Sequence, residues 1–182
     1  MADPFKKLKA YFSPGRACLE VTCGFITRTM KNLDVAYFSL TDPEVVTALI
    51  EAVKRGVKGS DGGPPRGIVD KDQHTQVESM RNAVKQLIDA GWDIRLDTES
   101  GYFHNKYVIS DYKKRSPAVL TGSWNPTVRA SKRNRENLVR IRVKAVIQQY
   151  HDNFEECWKA NTTVRATDPP PAEKPVDPGS VS

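Results

Sequence analysis

The segment Phe103-His-Asn-Lys-Tyr-Val-Ile-Ser-Asp111 sets a histidine two residues ahead of a lysine. On a strand, side chains two apart lie on the same face, so His104 and Lys106 project together while Tyr107 and Ile109 face the opposite layer. A neighbouring ammonium disfavours the imidazolium and keeps a neutral, nucleophilic ring nitrogen available. A phosphate would supply the negative charge that such a pair lacks. Downstream, Val119-Leu-Thr-Gly-Ser-Trp-Asn-Pro-Thr127 leaves a strand and presents Gly122, Ser123 and Asn125 at its end. A hydroxyl and an amide there can donate to an anion, and glycine permits close approach of backbone N–H groups. Glu136, in Arg133-Asn-Arg-Glu-Asn-Leu138, is a carboxylate that could hold one ring nitrogen of a histidine and leave the other free to attack. Each piece has a plain alternative. A lone His-x-Lys pair is weak evidence, Ser123 and Asn125 are also turn formers, and Glu136 also suits a salt bridge with its arginine neighbours.

The elements that must carry these residues alternate. Cys18 to Leu33 has the apolar content of a helix, and Asp34 to Leu40 reads as a buried strand. Thr41-Asp-Pro-Glu44 has capping-box spacing and opens a helix whose apolar side is Val45, Ala48, Leu49, Ala52 and Val53. Gly59 to Gly67 carries four Gly and two Pro in nine residues besides its polar members, which predicts an irregular loop, and Ile68-Val69 a brief strand. A second capping box, Thr75 to Glu78, opens a helix stopped by Gly91. Strands are expected at Trp92–Asp97, Tyr102–Ile109, Ala118–Thr121 and Glu136–Val143, and a last helix at Ala145–Lys159. This alternation points to an α/β layered domain. The boundaries expected are an N-terminal extension over 1–10, one catalytic domain over 11–160 and a disordered Pro-rich tail over 161–182.

Composition mostly excludes. A chain of 182 residues suits one domain, and no apolar run approaches the roughly 20 residues that span a bilayer, so no stable membrane insertion is expected. No secretory signal follows Met1, which predicts the cytoplasm for the chain as given, or the periplasm or exterior if a leader has been removed. Cys18, Cys23 and Cys157 are too few for a disulfide framework and lack zinc spacing; Cys18 and Cys23 are expected as core thiols. No Asp/Glu/His cluster has ligand spacing, so no metal and no cofactor is expected. His74 and His151 lack a lysine partner and are expected at the surface. The formal charge of +6 is local: residues 99–144 hold eleven Lys and Arg against three Asp and Glu. Such a segment suggests an anionic partner, although a solvated face would look the same.

Taken together, His-x-Lys-x4-Asp, then Gly-Ser-x-Asn, then Asn-x-Glu-Asn resembles the phospholipase D superfamily and its HKD motif. The resemblance runs from about residue 11 to 158, through Tyr11-Phe-Ser-Pro, Val35-Ala-Tyr-Phe, Lys54-Arg-Gly-Val57, Asp70-Lys-Asp-Gln73 and Phe154-x3-Trp158. It is closest to short single-motif members, the bacterial endonucleases and the mitochondrial cardiolipin hydrolase type. It implies a layered α-β-α sandwich with a central mixed β-sheet. It further implies that His104 is the nucleophile, that Lys106, Ser123 and Asn125 bind the non-bridging oxygens, and that Glu136 orients His104. Asp111 occupies the motif's acidic position but falls past the strand end, where it reads as structural.

One motif supplies one histidine, while the reaction also needs an acid for the leaving oxygen. The resemblance therefore implies a homodimer whose two-fold axis brings two copies of His104 together, acting without a metal. The expected function is a sequence-nonspecific endonuclease. Arg115, Arg129, Lys132, Arg133 and Arg135 would track a DNA or RNA backbone. Tyr102, Phe103 and Trp124 flank the motif and could stack on bases, although core packing is the expectation for at least Phe103. The alternatives are a phospholipase of the cardiolipin-hydrolase kind and a catalytically silent nucleic-acid-binding dimer. Two departures from the family stand out. The 59–67 loop would shorten a central strand, and Tyr112–Pro117 would add three positive charges near the cleft.

Overall fold

A computed structural model describes residues 7–97, 99, 101–160 and 162–163. In chain order they form β1 (Leu8–Phe12), α1 (Ala17–Arg28), β2 (Leu33–Tyr37), α2 (Pro43–Lys54), β3 (Arg66–Asp70), α3 (Lys71–Gln76) and α4 (Glu78–Asp89). There follow β4 (Asp93–Asp97), β5 (Lys106–Ser110), β6 (Ala118–Gly122), α5 (Val128–Lys132), β7 (Asn137–Ile141), α6 (Lys144–Ala160) and β8 (Thr162–Thr163). The strands make one mixed sheet in the order β1-β7-β6-β5-β2-β3-β4-β8. Its β2, β3 and β4 run parallel and the other pairings are antiparallel. The α/β sandwich expected from the sequence is therefore the fold.

Helices on both faces explain why β2, β3 and β5 are buried at all five positions. Leu33, Val35 and Tyr37 join one core with Leu19, Ile26, Leu49, Met80 and Leu87 of α1, α2 and α4. The intervening Ala36 joins Ile68, Tyr107 and Ile109 in a second core against Ile147, Phe154 and Trp158 of α6. Cys18 is buried, Cys23 half-buried against the first core, and burial pushes both thiols up to about 11.

The second core contains a charge. Arg66, 2% exposed, donates through Nε to Asp34 Oδ1 at 2.9 Å and through Nη2 to Glu155 Oε1 and Ser60 Oγ, both at 2.7 Å. Burial opposes its charge, but the two carboxylates outweigh that and raise its pKa. Arg66 thus opens a full central strand and ties the preceding loop to α6. The expectation that a loop reaches Gly67 and shortens the strand is corrected here: the apolar alternation hid a charged residue whose partners lie far along the chain. Replacing Arg66 by methionine would strand Asp34 in the core. Urea unfolding is expected to show a loss of about 3–5 kcal/mol; a loss below about 1 kcal/mol would contradict the account.

Both capping boxes are displaced. Asp42, not Thr41, caps α2 and accepts from Glu44 N at 3.0 Å, because the N–H groups of Thr41 and Asp42 are both held by Pro126 O. Thr75 lies inside α3, which Asp70 caps, and α4 begins without a side-chain cap. Leu8 to Ala10, expected in an extension, are the first residues of edge strand β1 and pair with β7. The expected tail falls outside the described residues except Thr162 and Thr163, which pair with β4.

Candidate active site

One end of the sheet gathers the candidate residues. The register pairs Tyr37 with Lys106, Tyr37 with Val69, Tyr107 with Thr121, Gly122 with Leu138 and Phe12 with Asn137. The C-terminal ends of β1, β2, β3 and β6 therefore meet the N-terminal ends of β5 and β7. His104 lies just ahead of β5 in an exposed turn, and Lys106 is the buried first residue of the strand. Both touch Phe38, which follows β2. The His104 ring stands edge-on at 4.9 Å between centroids, and Lys106 Nζ lies 5.1 Å above the same ring. Lys106 Nζ also donates to His104 O at 2.8 Å. Burial lowers the Lys106 pKa, while the Glu136 and Asp70 carboxylates pull it back up.

Gly122 ends β6 against β7. A Cβ there would sit 2.1 Å from Asn137 O, so only glycine fits, and Ser123 N donates to that carbonyl at 3.1 Å. Ser123 Oγ donates to Glu136 Oε2 at 2.5 Å and accepts from Asn137 N at 3.1 Å. Glu136 Oε1 accepts from Asn134 Nδ2 at 3.0 Å. Asn125 Oδ1 accepts from Ser39 N at 3.2 Å, and its Nδ2 makes no hydrogen bond among the described residues, which leaves a donor for an anion. A direct bond from Glu136 to His104 is not formed in the single chain. The strands that follow the two residues, β5 and β7, are separated by β6, about 10 Å in all, and the carboxylate is taken by Ser123 and Asn134.

A family model described as cardiolipin synthase, PLD-like domain, matches residues 22–158. The chain belongs to the phospholipase D superfamily. Its curated relatives include a phospholipase D from Rickettsia prowazekii, 33% identical over 143 residues, and a mitochondrial cardiolipin hydrolase from Xenopus tropicalis, 30% identical over 134 residues. The matches cover 79% and 74% of this chain but 63% and 58% of those relatives, so the chain spans about three fifths of their length. Among solved structures, Nuc from Salmonella typhimurium, a phospholipase D family member, superposes with a TM-score of 0.77 at 23% identity. That match covers 87% of this chain and 97% of Nuc, and it bears on fold.

As a phospholipase D superfamily chain it keeps His104, Lys106, Ser123, Asn125 and Glu136 at one end, but not every residue named from the sequence. Asp111 is at the other end of β5, where its carboxylate accepts from the N–H groups of Met30, Lys31 and Asn32 at 2.7–3.3 Å. The Tyr112–Pro117 hairpin, with Arg115, is also at that far end, since Ser110 pairs with Ala118. The expectation that its charges lie near the cleft is corrected here: a strand carries the chain away from His104 before it turns. Trp124 is 0% exposed within the first core and cannot stack on a base, and Phe103 is buried in the second. Tyr102 is 72% exposed and meets the Phe38 ring edge-on, so it remains available. Arg129, Lys132, Arg133 and Arg135 are exposed beside Glu136 and form no salt bridge among the described residues.

The histidines outside the motif are not surface groups. His74 is half-buried in α3 and its pKa is lowered by burial and by Arg81. His151 stacks on Tyr112 at 3.7 Å, with Nε2 3.1 Å from Ser60 Oγ, and burial lowers its pKa.

Three positioning residues went without a role in the sequence reading. Phe38 carried no chemical signal. Ser13 Oγ donates to Asn134 O at 2.9 Å and accepts from Glu136 N at 3.1 Å, so the end of β1 pins the Glu136 segment. Asp70 accepts Gln73 N at 2.8 Å on Oδ1 and Phe103 N at 2.9 Å on Oδ2, which anchors the backbone one residue before His104. An asparagine at 70 has one acceptor oxygen and would turn its amide N–H2 towards one of those donors. Asp70→Asn is therefore expected to cost about 1–3 kcal/mol in urea unfolding and to lower kcat about tenfold. Unchanged kcat in a destabilised variant would remove Asp70 from the positioning of His104.

Proposed function

We propose that the chain is a metal-independent phosphodiesterase that cleaves nucleic acid, without sequence preference, at a site shared by two copies of the chain. The observation that carries this reading is the convergence of His104, Lys106, Ser123, Asn125 and Glu136 on one sheet end beside Arg129, Lys132, Arg133 and Arg135. A neutral His104 nitrogen attacks phosphorus and the bond to the leaving oxygen breaks. That oxygen takes a proton from the His104 of the second copy. Water then attacks the phosphohistidine and gives a proton back to that second imidazole. The N–P bond breaks and both histidines return to their starting states.

Lys106 and the Asn125 amide bind the non-bridging oxygens as charge builds there. Ser123 joins them when its hydroxyl hydrogen turns from Glu136 to the phosphate. The freed carboxylate then orients the His104 of the second copy, since β6 separates it from the His104 of its own chain. Exposed Phe12 (65%) and Tyr102 at the same end offer apolar area to a second copy. These four cations, which form no salt bridge among the described residues, supply the sequence-blind part of affinity. Binding should weaken with salt by roughly one log unit per log unit for each phosphate neutralised, and Arg133→Ala/Arg135→Ala should flatten that slope. An unchanged slope would place the strand elsewhere.

The second reading is phospholipid cleavage, favoured by relatives named phospholipase D and cardiolipin hydrolase. No described helix is long and apolar enough to cross a membrane. Plasmid, single-stranded DNA, RNA and cardiolipin vesicles incubated side by side, with and without chelator, separate the readings. Cleavage of nucleic acid that persists in chelator is expected. Turnover confined to vesicles would transfer the site to lipid, and loss of turnover in chelator would end the metal-independent scheme.

A further inference from the structure

The end of the sheet remote from His104 holds a cavity of about 290 Å³ lined by three arginines, Arg28, Arg140 and Arg142. Arg140 on β7 and Arg142, the residue after its end, stand two apart and follow the face of Leu138, which is buried in the first core. Beyond Leu138 that face leaves the core, and Arg140 and Arg142 line the cavity together with Arg28 from the last turn of α1. Among the described residues none of the three forms a salt bridge. Arg28 Nη1 donates only to Gly24 O of its own helix, at 3.3 Å. The one carboxylate in the lining, Asp111, is consumed by three backbone N–H groups. The carbonyl end of α1 contributes partial negative charge, which Arg28 offsets. Arg28 and Arg142 are exposed and Arg140 is half-buried, so water screens part of their repulsion, and the Asp111 charge offsets one of the three. The net positive charge that remains around the cavity favours an anion.

We propose that this cavity is a second phosphate-binding site, which takes a small phosphate such as inorganic phosphate or a phosphate monoester. Guanidinium groups match phosphate oxygens in pairs, and Ser110 and Ser116 add hydroxyl donors. The volume lies at the low end of small-molecule sites, which suits one phosphate group and the first carbons of an ester rather than a longer ligand. Phe25 supplies an apolar wall for those carbons. The length of β5, roughly 13 Å from Lys106 to Ser110, separates the two ends, so one phosphate cannot occupy both.

Titration of the isotope-labelled full chain followed by NMR tests this, because signals near Lys106 and near the arginines report the two ends separately. Inorganic phosphate and glycerol 1-phosphate are each added, with chloride at matched ionic strength as the control. Saturable shifts at Arg28, Arg140 and Arg142 with phosphate but not chloride are expected. Tighter binding of glycerol 1-phosphate would identify an ester, and tighter binding of inorganic phosphate the free ion. Arg140→Gln/Arg142→Gln should weaken these shifts about tenfold or more while Lys106 titrates as before. If that variant does not fold, Arg28→Gln should show the same weakening. Equal shifts with chloride, shifts that never saturate, binding unchanged in the variants, or a response to an oligonucleotide alone would each overturn the proposal.

Discussion

His104→Ala is expected to lower kcat by roughly 10⁴-fold or more while leaving the urea transition and the proposed dimer intact. In the proposed scheme the attacking nitrogen has no substitute in the chain: His74 and His151 are half-buried away from Lys106, and both lie in other contacts. The fold tolerates the change because the His104 side chain is exposed and meets the edge of the Phe38 ring. Two copies at one site add a second expectation. A dimer of one wild-type and one His104→Ala chain lacks either nucleophile or acid. Titrating wild type with excess variant, after subunit exchange, should therefore reduce activity per wild-type chain. Constant activity per wild-type chain would show that each chain works alone. Quenching the wild type in mid-turnover should leave phosphate on His104 by mass spectrometry.

Lys106→Met is expected to cost about 10²–10³ in kcat, the range found when one pre-placed donor to a developing oxyanion is removed. Lys106 is buried and aimed by its bond to His104 O, so its charge acts in a medium of lower dielectric than water. The pH dependence follows from the direction of its shift. Burial lowers its pKa from that of an exposed lysine, so the ammonium is lost at a lower pH than usual. Activity should therefore fall on the alkaline side sooner than an exposed lysine would allow. Lys106→Arg should be slower at neutral pH yet lose that alkaline fall, because a guanidinium stays charged. An alkaline limb that survives the arginine variant would belong to another group.

Where neighbours in sequence decided the structure, the sequence was legible. Period two in Trp92–Asp97 and the helical spacing of Ile147, Phe154 and Trp158 placed β4 and α6 within a residue or two. The candidate site was readable from motif spacing rather than from the strand expected over Tyr102–Ile109. β5 begins at Lys106, so His104 stands ahead of it and the two share the Phe38 ring instead of a strand face. What remained hidden depends on distant partners. Arg66 looked like loop because Asp34 and Glu155 are needed to bury it. Thr41 looked like a cap because the hold of Pro126 O on the chain is invisible in order of residues. Trp124 and Arg115 read as binding groups until topology sent one into the core and the other to the far end. β1 gave little signal, since four of its five residues are exposed and it exists only by pairing with β7.

That pairing has a consequence for handling the protein. β1 covers the outer edge of β7, and Ser13, the residue after it, supplies the bonds to Asn134 and Glu136. Trimming the chain past Phe12 would bare a row of unpaired N–H and C=O groups along β7, a template on which other chains can add strands. Such a truncate would lose solubility and activity together, and a purification tag belongs where it leaves Leu8–Ser13 free to pair.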